Sequence, residues 1–467
     1  MTHDPQRLAV VLWDGARPDV LEDLLARGDL PHVARCFAER GRLGRAVTVF
    51  PSTTGPAHLP FITGCFPGTC NVPGIRWLDR REYARTWLSV DRYRSYTGPG
   101  LFRFAADMRR GLPSLHELFP DHASAYAVFL PGVRAGRSRQ LLLRLMRHMW
   151  QARRRGHTAS DDIFADYAVR AAAERPDLLF ATFYAIDMAA HVAGPTAPAT
   201  LDAYRRLDRA LGRLTAALRQ AGVLDETLLA LVSDHGFSTT SAHVDLDALC
   251  GRHLGRVLTD PARLVPAVAA QAACMISGNS MAHVYVRGPR GWPRSCPDEE
   301  LPRAAGELID ELLGHPAIDL VATRTAAGEI RVRGGGGEAL IGRPAGGGVT
   351  YATRGSDPFG YGALPPRMTA AEALARTFDT DYPDAPVQLL QLFDSPRSGD
   401  VVVTARPGSD LRADHLEDPR HLGSHGALHR EHMLVPFGLS RPFPAGPRRT
   451  VDLVPAVAAR HGRAAGG

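Results

Sequence analysis

At 467 residues the chain is long enough for one large α/β domain carrying an insertion, or for two domains. Its 45% hydrophobic and 22% charged residues are ordinary globular values that exclude disorder over most of its length. The net charge of +6 has a single source: residues 134–158 hold eight arginines and no acid, and without those arginines the chain would carry −2.

In chain order, Leu8–Trp13 reads as a buried strand ending at Asp14-Gly15. It is too short for a signal-peptide core or a membrane span. No other stretch approaches about 18 uninterrupted apolar residues, so a cytoplasmic protein is expected. Residues 19–27 and 30–41 have helical period, and 46–50 is β-rich and breaks at Pro51. Strands alternating with helices predict a mostly parallel central sheet with helices on both faces, and such sheets collect ligands at the carboxyl ends of their strands. Cys65 and Cys70 read as packing or loop residues, and the six cysteines, scattered without paired metal-type spacing, as reduced thiols.

The arginine-rich segment contains LLLRLMRHMW, which can form an amphipathic helix facing anionic lipid or nucleic acid. The plainer reading is a solvated face of a surface helix, and another is a lid over an anionic substrate. No nucleic-acid partner is expected, and peripheral membrane contact through 134–158 stays open. Further on, apolar runs at 178–186 and 227–232 deliver Asp187 and Ser233-Asp234-His235, and DVVVT at 400–404 has the same form. Between 246 and 395 the character changes to a helix at 299–314, strands at 283–287, 317–323 and 328–333, and glycine-rich turns at 334–337 and 346–348. This predicts a catalytic core in two parts, 1–245 and 396–467, around an inserted cap at 246–395.

The strand ends gather Asp14, Asp187, His191, Asp234 and His235, with His425 in HLGSHGALH near the end of the chain. Three carboxylates and three imidazoles are the donors a pair of zinc-like divalent ions takes, and manganese or iron suits the same set. Any one of these acids alone reads equally well as a helix cap. TVFPSTTGPAHLPFITG at 48–64 supplies a nucleophile: Gly55-Pro56 can open a helix, which puts Thr54 near its N-terminus, and coordination to a divalent metal can deprotonate a threonine. The plain alternative makes Ser52, Thr53 and Thr54 caps.

These motifs resemble the alkaline phosphatase superfamily and, within it, the type I phosphodiesterase/nucleotide pyrophosphatase family. The resemblance runs in order through VVLWDGARPD at 10–19, TVFPSTTGPAHLPFITGCFPGT at 48–69, IDMAAHVAGP at 186–195, LVSDHGF at 231–237, GSHGALH at 423–429 and TVDLVPAVAA at 450–459. It implies an alkaline-phosphatase-like α/β fold. One metal would be held by Asp187, His191 and His425, and the other by Asp14, Asp234, His235 and the Thr54 oxygen. Thr54, two residues before Pro56 and four before His58, takes the nucleophile's place and would form a phospho-threonine intermediate. A threonine there, with no C-x-P-x-R-like motif at Cys65 or Cys70, argues against sulfatases, and against mutases, which usually present serine.

One departure bears on the substrate. Many members place an Asn about twenty residues after the nucleophile to contact a phosphate oxygen; here Ile75 stands there, flanked by Asn71 and Arg76. Arg76 can clamp a phosphate with its planar fork or pair with Asp79. The expected activity is hydrolysis of a small phosphorylated substrate, with diester, monoester and phosphonate all open. The alternative from another class is a non-catalytic binding protein that works through 134–158.

Overall fold

The alternation of side chains along four neighbouring strands builds the first half of the molecule. In the computed structural model, which describes residues 6–85, 93–97, 99–112, 114–125, 158–259, 268–411 and 421–460, a six-stranded sheet has the order Arg42–Val47, Leu434–Leu439, Thr227–Val232, Arg7–Trp13, Leu178–Phe183, His122–Ala125. Arg7–Trp13 is parallel to both its neighbours and His122–Ala125 is parallel to Leu178–Phe183. Only Leu434–Leu439 runs against the rest, pairing antiparallel on both sides.

Period two sends Ala9, Val11, Trp13, Leu179, Ala181, Leu229 and Leu231 to one face, and Leu8, Val10, Leu12, Leu178, Phe180, Leu228 and Ala230 to the other. Both faces are covered. On the first lies the helix Pro198–Gln220, whose buried Ala203, Tyr204, Leu207, Leu211, Leu214 and Leu218 recur at helical spacing. On the second lie Phe61, Phe119 and the helix Leu453–Arg460. Strands buried on both faces read as continuous apolar runs, which is why these were visible in the sequence. The expected mostly parallel sheet with helices on both faces is what the chain forms.

A second sheet has nine strands, in the order Arg367–Met368, Val349–Gly355, Gly337–Gly342, Ile330–Gly334, Ile318–Arg324, Val401–Ala405, Met281–Val286, Ala272–Ser277, Val257–Leu258. The helices Leu246–Leu254 and Leu301–Gly314 pack on one face, and Ala370–Thr377 and Ala385–Phe393 on the other. The DVVVT strand differs from its reading: Val401–Ala405 lies in the middle of this sheet, antiparallel to Met281–Val286 and Ile318–Arg324. Val401 and Val403 enter one core and Val402 the other. A strand buried on both faces has the same composition in either sheet, so its period could not say which one it joins.

Three boundaries also move. The strand expected at 46–50 is Arg42–Val47, an edge strand whose charged first half pairs with Leu434–Leu439, while Thr48–Phe50 leaves the ladder. The helix expected over 30–41 is a short turn, Pro31–Val33, continued by a wider turn, Ala34–Glu39. The run 178–186 is a strand only to Phe183, and a new helix, Ala185–Ala193, carries Asp187 in its first turn. Among the described residues no helix is long and apolar enough to cross a membrane. The arginine-rich segment lies outside the described residues apart from its last position.

Candidate metal centre

Three elements of the first half deliver acids to one place. Asp14 leaves the end of Arg7–Trp13, its N–H bonded to the Phe183 carbonyl at 2.9 Å, and is fully buried. Gly15 follows at φ +73°, and a Cβ there would lie 2.8 Å from the Phe237 ring and 3.0 Å from Asp187 Cα. Only glycine lets the two acid-bearing segments approach this closely. Asp234 leaves Thr227–Val232, accepting the Gly15 N–H on Oδ1 at 3.3 Å and the Thr48 hydroxyl on its carbonyl. Asp187 and His191, four residues apart, share one face of Ala185–Ala193, with His191 Nε2 3.5 Å from Asp187 Oδ1.

The histidines are oriented alike. His191 Nδ1 is 3.0 Å from the Gly423 carbonyl, His235 Nδ1 3.1 Å from the Gly236 carbonyl, and His425 Nδ1 3.0 Å from the Ser52 carbonyl. A carbonyl only accepts, so each Nδ1 carries the proton and each Nε2 is left with its lone pair. All three Nε2 atoms turn inward. His235 Nε2 is 3.3 Å from Asp14 and 3.5 Å from Asp234, and His425 Nε2 is 3.8 Å from Asp187. Fixing the tautomer through a backbone carbonyl is how proteins prepare imidazoles for metals.

The donors fall into two groups, Asp187–His191–His425 and Asp14–Asp234–His235, within each of which the donor atoms lie inside 4.8 Å of one another. Electrostatics shows what is needed there. Burial, reinforced by Asp234 and Asp187, holds the Asp14 carboxyl well above its ordinary range. Burial beside His235 and His191 holds His425 well below the usual imidazole value, which keeps its lone pair available. Asp234 Oδ2 is buried with no hydrogen-bond partner among the described residues. Three crowded acids, an orphaned carboxylate oxygen and three inward lone pairs fit divalent cations, which balance the charge and accept the lone pairs.

Thr54 Oγ1 lies at the second group, 3.2 Å from His235 Nε2 and 3.4 Å from both Asp14 oxygens. Ser52 instead donates to the Ala427 carbonyl. The helix expected after Gly55-Pro56 is a short turn, Pro56–His58, running into Leu59–Thr63. Asn71 and Arg76 lie apart from these groups in their bonding. Asn71 Oδ1 accepts from Ser395 and its carbonyl from Arg397, while Arg76 donates to the Ile276 carbonyl at 3.1 Å and to Thr97 at 3.4 Å. Ile75 packs against the hydrophobic cluster that holds Leu59 and Trp77, its N–H donating to Ser277 Oγ.

Sequence reasoning missed four supports. His58, used only to align Thr54, is buried with Nε2 3.5 Å from Asp234 Oδ2. Gln388 accepts the Phe50 N–H, and Gln391 donates to the Phe50 carbonyl and accepts the Gly68 N–H, so both brace the Thr54 loop. Two glutamines in the otherwise apolar APVQLLQLF were the available signal. His432 is buried between Ser238 Oγ and the Ala427 N–H. The turn after Ala272–Ser277 packs on the His425 segment, and a Cβ at Gly278 would lie 2.9 Å from Thr53 Cβ and 3.0 Å from His425 Nδ1.

The chain is similar over nearly its whole length to known structures. Phosphonoacetate hydrolase from Sinorhizobium meliloti, solved with phosphonoformate, matches with a TM-score of 0.57 at 18% identity, covering 98% of this chain and 96% of that one. Murine ectonucleotide pyrophosphatase/phosphodiesterase 5, solved as an inactive Thr-to-Ala variant with AMP, matches with a TM-score of 0.60 at 14% identity, covering 99% and 96%. The fold is thus an alkaline-phosphatase-like α/β fold. Residues 8–305 match the family model of type I phosphodiesterase / nucleotide pyrophosphatase, and the chain belongs to that family. An uncharacterized pyrophosphatase/phosphodiesterase of Schizosaccharomyces pombe is 21% identical over 235 residues, which is 50% of this chain and 45% of that relative.

Proposed function

We propose that the chain is a two-metal hydrolase of phosphate esters in which Thr54 is the nucleophile. The observation that carries this reading is the position of one hydroxyl, Thr54 Oγ1, against Asp14 and His235 in a group whose remaining donor is the Asp234 carboxylate. Asp14, Asp234, His235 and the Thr54 oxygen would hold one cation, and Asp187, His191 and His425 the other; zinc suits these donors best. Bound divalent ions supply Lewis acidity and lower the pKa of a coordinated hydroxyl.

The chain's own groups do the rest. The Thr54 O–H faces the Asp14 oxygens at 3.4 Å, so its proton has an acceptor. Thr54 Oγ1 then bonds to phosphorus as the bond to the leaving group breaks, giving a phospho-threonine that water hydrolyses. Gln388 and Gln391 hold the backbone at Phe50, four residues before Thr54, and Ser52 is tied to Ala427, so the nucleophile sits on a braced loop. The inactivity of the murine Thr-to-Ala variant supports a threonine in this role.

Metal analysis should find two zinc-like ions per chain. Thr54→Ala should abolish turnover with the circular dichroism spectrum unchanged; full activity in that variant refutes the nucleophile assignment. Bis- and mono-nitrophenyl phosphate assayed beside phosphonoacetate separate diester, monoester and phosphonate substrates.

A further inference from the structure

The parallel strands of the six-stranded sheet have a second end, away from the metal ligands. Thr227 opens the six-residue strand that leads to Asp234, so about 20 Å of extended chain separates the two. Thr227 lines a cavity of about 180 Å³ formed by the turn Ala34–Glu39, the last turns of Pro198–Gln220 and the chain at Ser440-Arg441. The lining is apolar at Leu224 and Leu229, and it carries four arginines, Arg35, Arg40, Arg219 and Arg441, against a single acid, Asp225.

These four guanidiniums lack carboxylate partners. Arg441 donates to the Asp225 backbone carbonyl at 2.6 Å, and Arg35, Arg40 and Arg219 make no hydrogen bond or ion pair among the described residues. Other arginines of the same helix are paired: Arg205 with Asp29 at 2.7 Å, Arg206 with Asp202 at 3.1 Å, and Arg213 with Asp166. Asp208, a second acid close by, is already engaged, accepting the His32 and Val33 N–H groups at 3.0 and 2.8 Å. Burial pushes the Cys36 thiol on this wall up to about 11, against the combined pull of Arg40, Arg35 and Arg219. Three of the guanidiniums thus act on one point, and a thiol held protonated is no nucleophile, which leaves the cations as the chemistry of the cavity.

Like charges gathered without counter-ions repel one another, and a bound oxyanion removes that repulsion. A carboxylate fills one guanidinium fork, whereas a phosphate dianion has oxygens for more than one. Ser440 adds a donor: its Oγ accepts the Leu229 N–H at 2.9 Å, and its own O–H has no acceptor among the described residues. We propose that this cavity is a second anion site, remote from the metal ligands, that binds a phosphate dianion, free or carried on a small molecule. The proposal stands apart from the phosphate-ester reading, because none of its residues belongs to the metal-ligand groups.

The test titrates the metal-loaded full chain with inorganic phosphate and with phenylphosphonate, which has no ester bond, and reads amide hydrogen exchange. Chloride at matched ionic strength is the control. At least one of the two phosphorus ligands should give saturable protection at 32–41, 216–229 and 438–442, and chloride should give none. Arg35→Gln and Arg219→Gln remove side chains that hold no partner in the fold, and each should weaken this binding by about tenfold, the scale of one charge-assisted hydrogen bond. Protection at 54–58 and 421–428, beside the metal ligands, should keep the parent's concentration dependence in both variants. Tighter binding of phenylphosphonate assigns the site to an organic phosphate whose body lies on Leu224 and Leu229; binding no tighter than that of inorganic phosphate assigns it to the free ion. Equal protection from chloride, unchanged binding in either variant, or no saturable protection at these segments overturns the proposal. Protection confined to 54–58 and 421–428 also overturns it, and leaves the phosphate-ester reading standing. Protection at the arginine cavity with none beside the metal ligands supports the proposal and counts against that reading.

Discussion

Asp234 shows how much a single strand-exit residue carries. Its carbonyl receives the Thr48 hydroxyl, its Oδ1 receives the Gly15 N–H, and its Oδ2 faces His58 and His235 at 3.5 Å. Replacing the carboxylate by an amide keeps the size and the Oδ1 bond but turns a lone pair into N–H donors at a cation site. Asp234→Asn should therefore lose one metal equivalent per chain and retain the other, because Asp187, His191 and His425 form a separate donor group. Metal analysis of the purified variant decides this, and loss of both ions or of neither counts against two independent groups. Asp14, Asp234 and His235 were legible because all three lie within three residues of the end of an apolar run that needed no tertiary information. His58 was not, since it reaches Asp234 from a turn whose placement depends on the rest of the fold.

Elements hold the acids by their own hydrogen bonds, and here sequence patterns say less. Asp161, on the helix Thr158–Ala173, accepts the N–H groups of Tyr184 at 3.0 Å and Ala185 at 2.7 Å, so it caps the start of the helix that carries Asp187 and His191. Burial pushes its carboxyl up to about 7 from an ordinary 3.8, while the two N–H bonds pull it down. A folded pKa above the unfolded one means that the folded state binds more protons between these values. The contribution is full below the unfolded pKa and is lost as pH rises through about 7. Asp161→Asn removes this titration, so its melting temperature should fall less between pH 5 and pH 8 than the parent's, on the same linkage. An unchanged slope in thermal scans would show that Asp161 does not titrate there. Nothing in TASDDIFADYAV marks Asp161 over Asp162, since only packing against Tyr184 separates a buried cap from a surface acid. The same limit explains DVVVT: a fully apolar strand announces burial on both faces, not its neighbours.

At the scale of the molecule, the site lies where two sheets meet, Val47 and Leu434 of the first packing into one core of the second. Asp14 and Asp234 leave the six-stranded sheet, whereas His425 belongs to a segment bound to the turn of the nine-stranded sheet through Ser280 N–H, Gly278 carbonyl and the Ser280–Ser424 hydroxyl pair at 2.6 Å. Cations bound to both donor groups would therefore fasten the second sheet to the first as well as serve catalysis. Any ligand that binds only the folded state stabilises it by RT ln(1 + [L]/Kd), about 2.7 kcal/mol at a free concentration about 100-fold above Kd. Without cations three carboxylates are crowded in a buried site, where burial, reinforced by Asp234 and Asp187, holds the Asp14 carboxyl well above its ordinary range. Chelation should accordingly lower the melting temperature. It should also raise amide hydrogen exchange at 277–281 and 421–428, ahead of the strand cores Leu8–Leu12 and Val401–Val403. Both effects should reverse on adding zinc. Uniform loss of protection across both sheets would instead mean that the metals hold up the whole fold, and protection unchanged at 277–281 and 421–428 would mean that the polar contacts of the turn suffice alone.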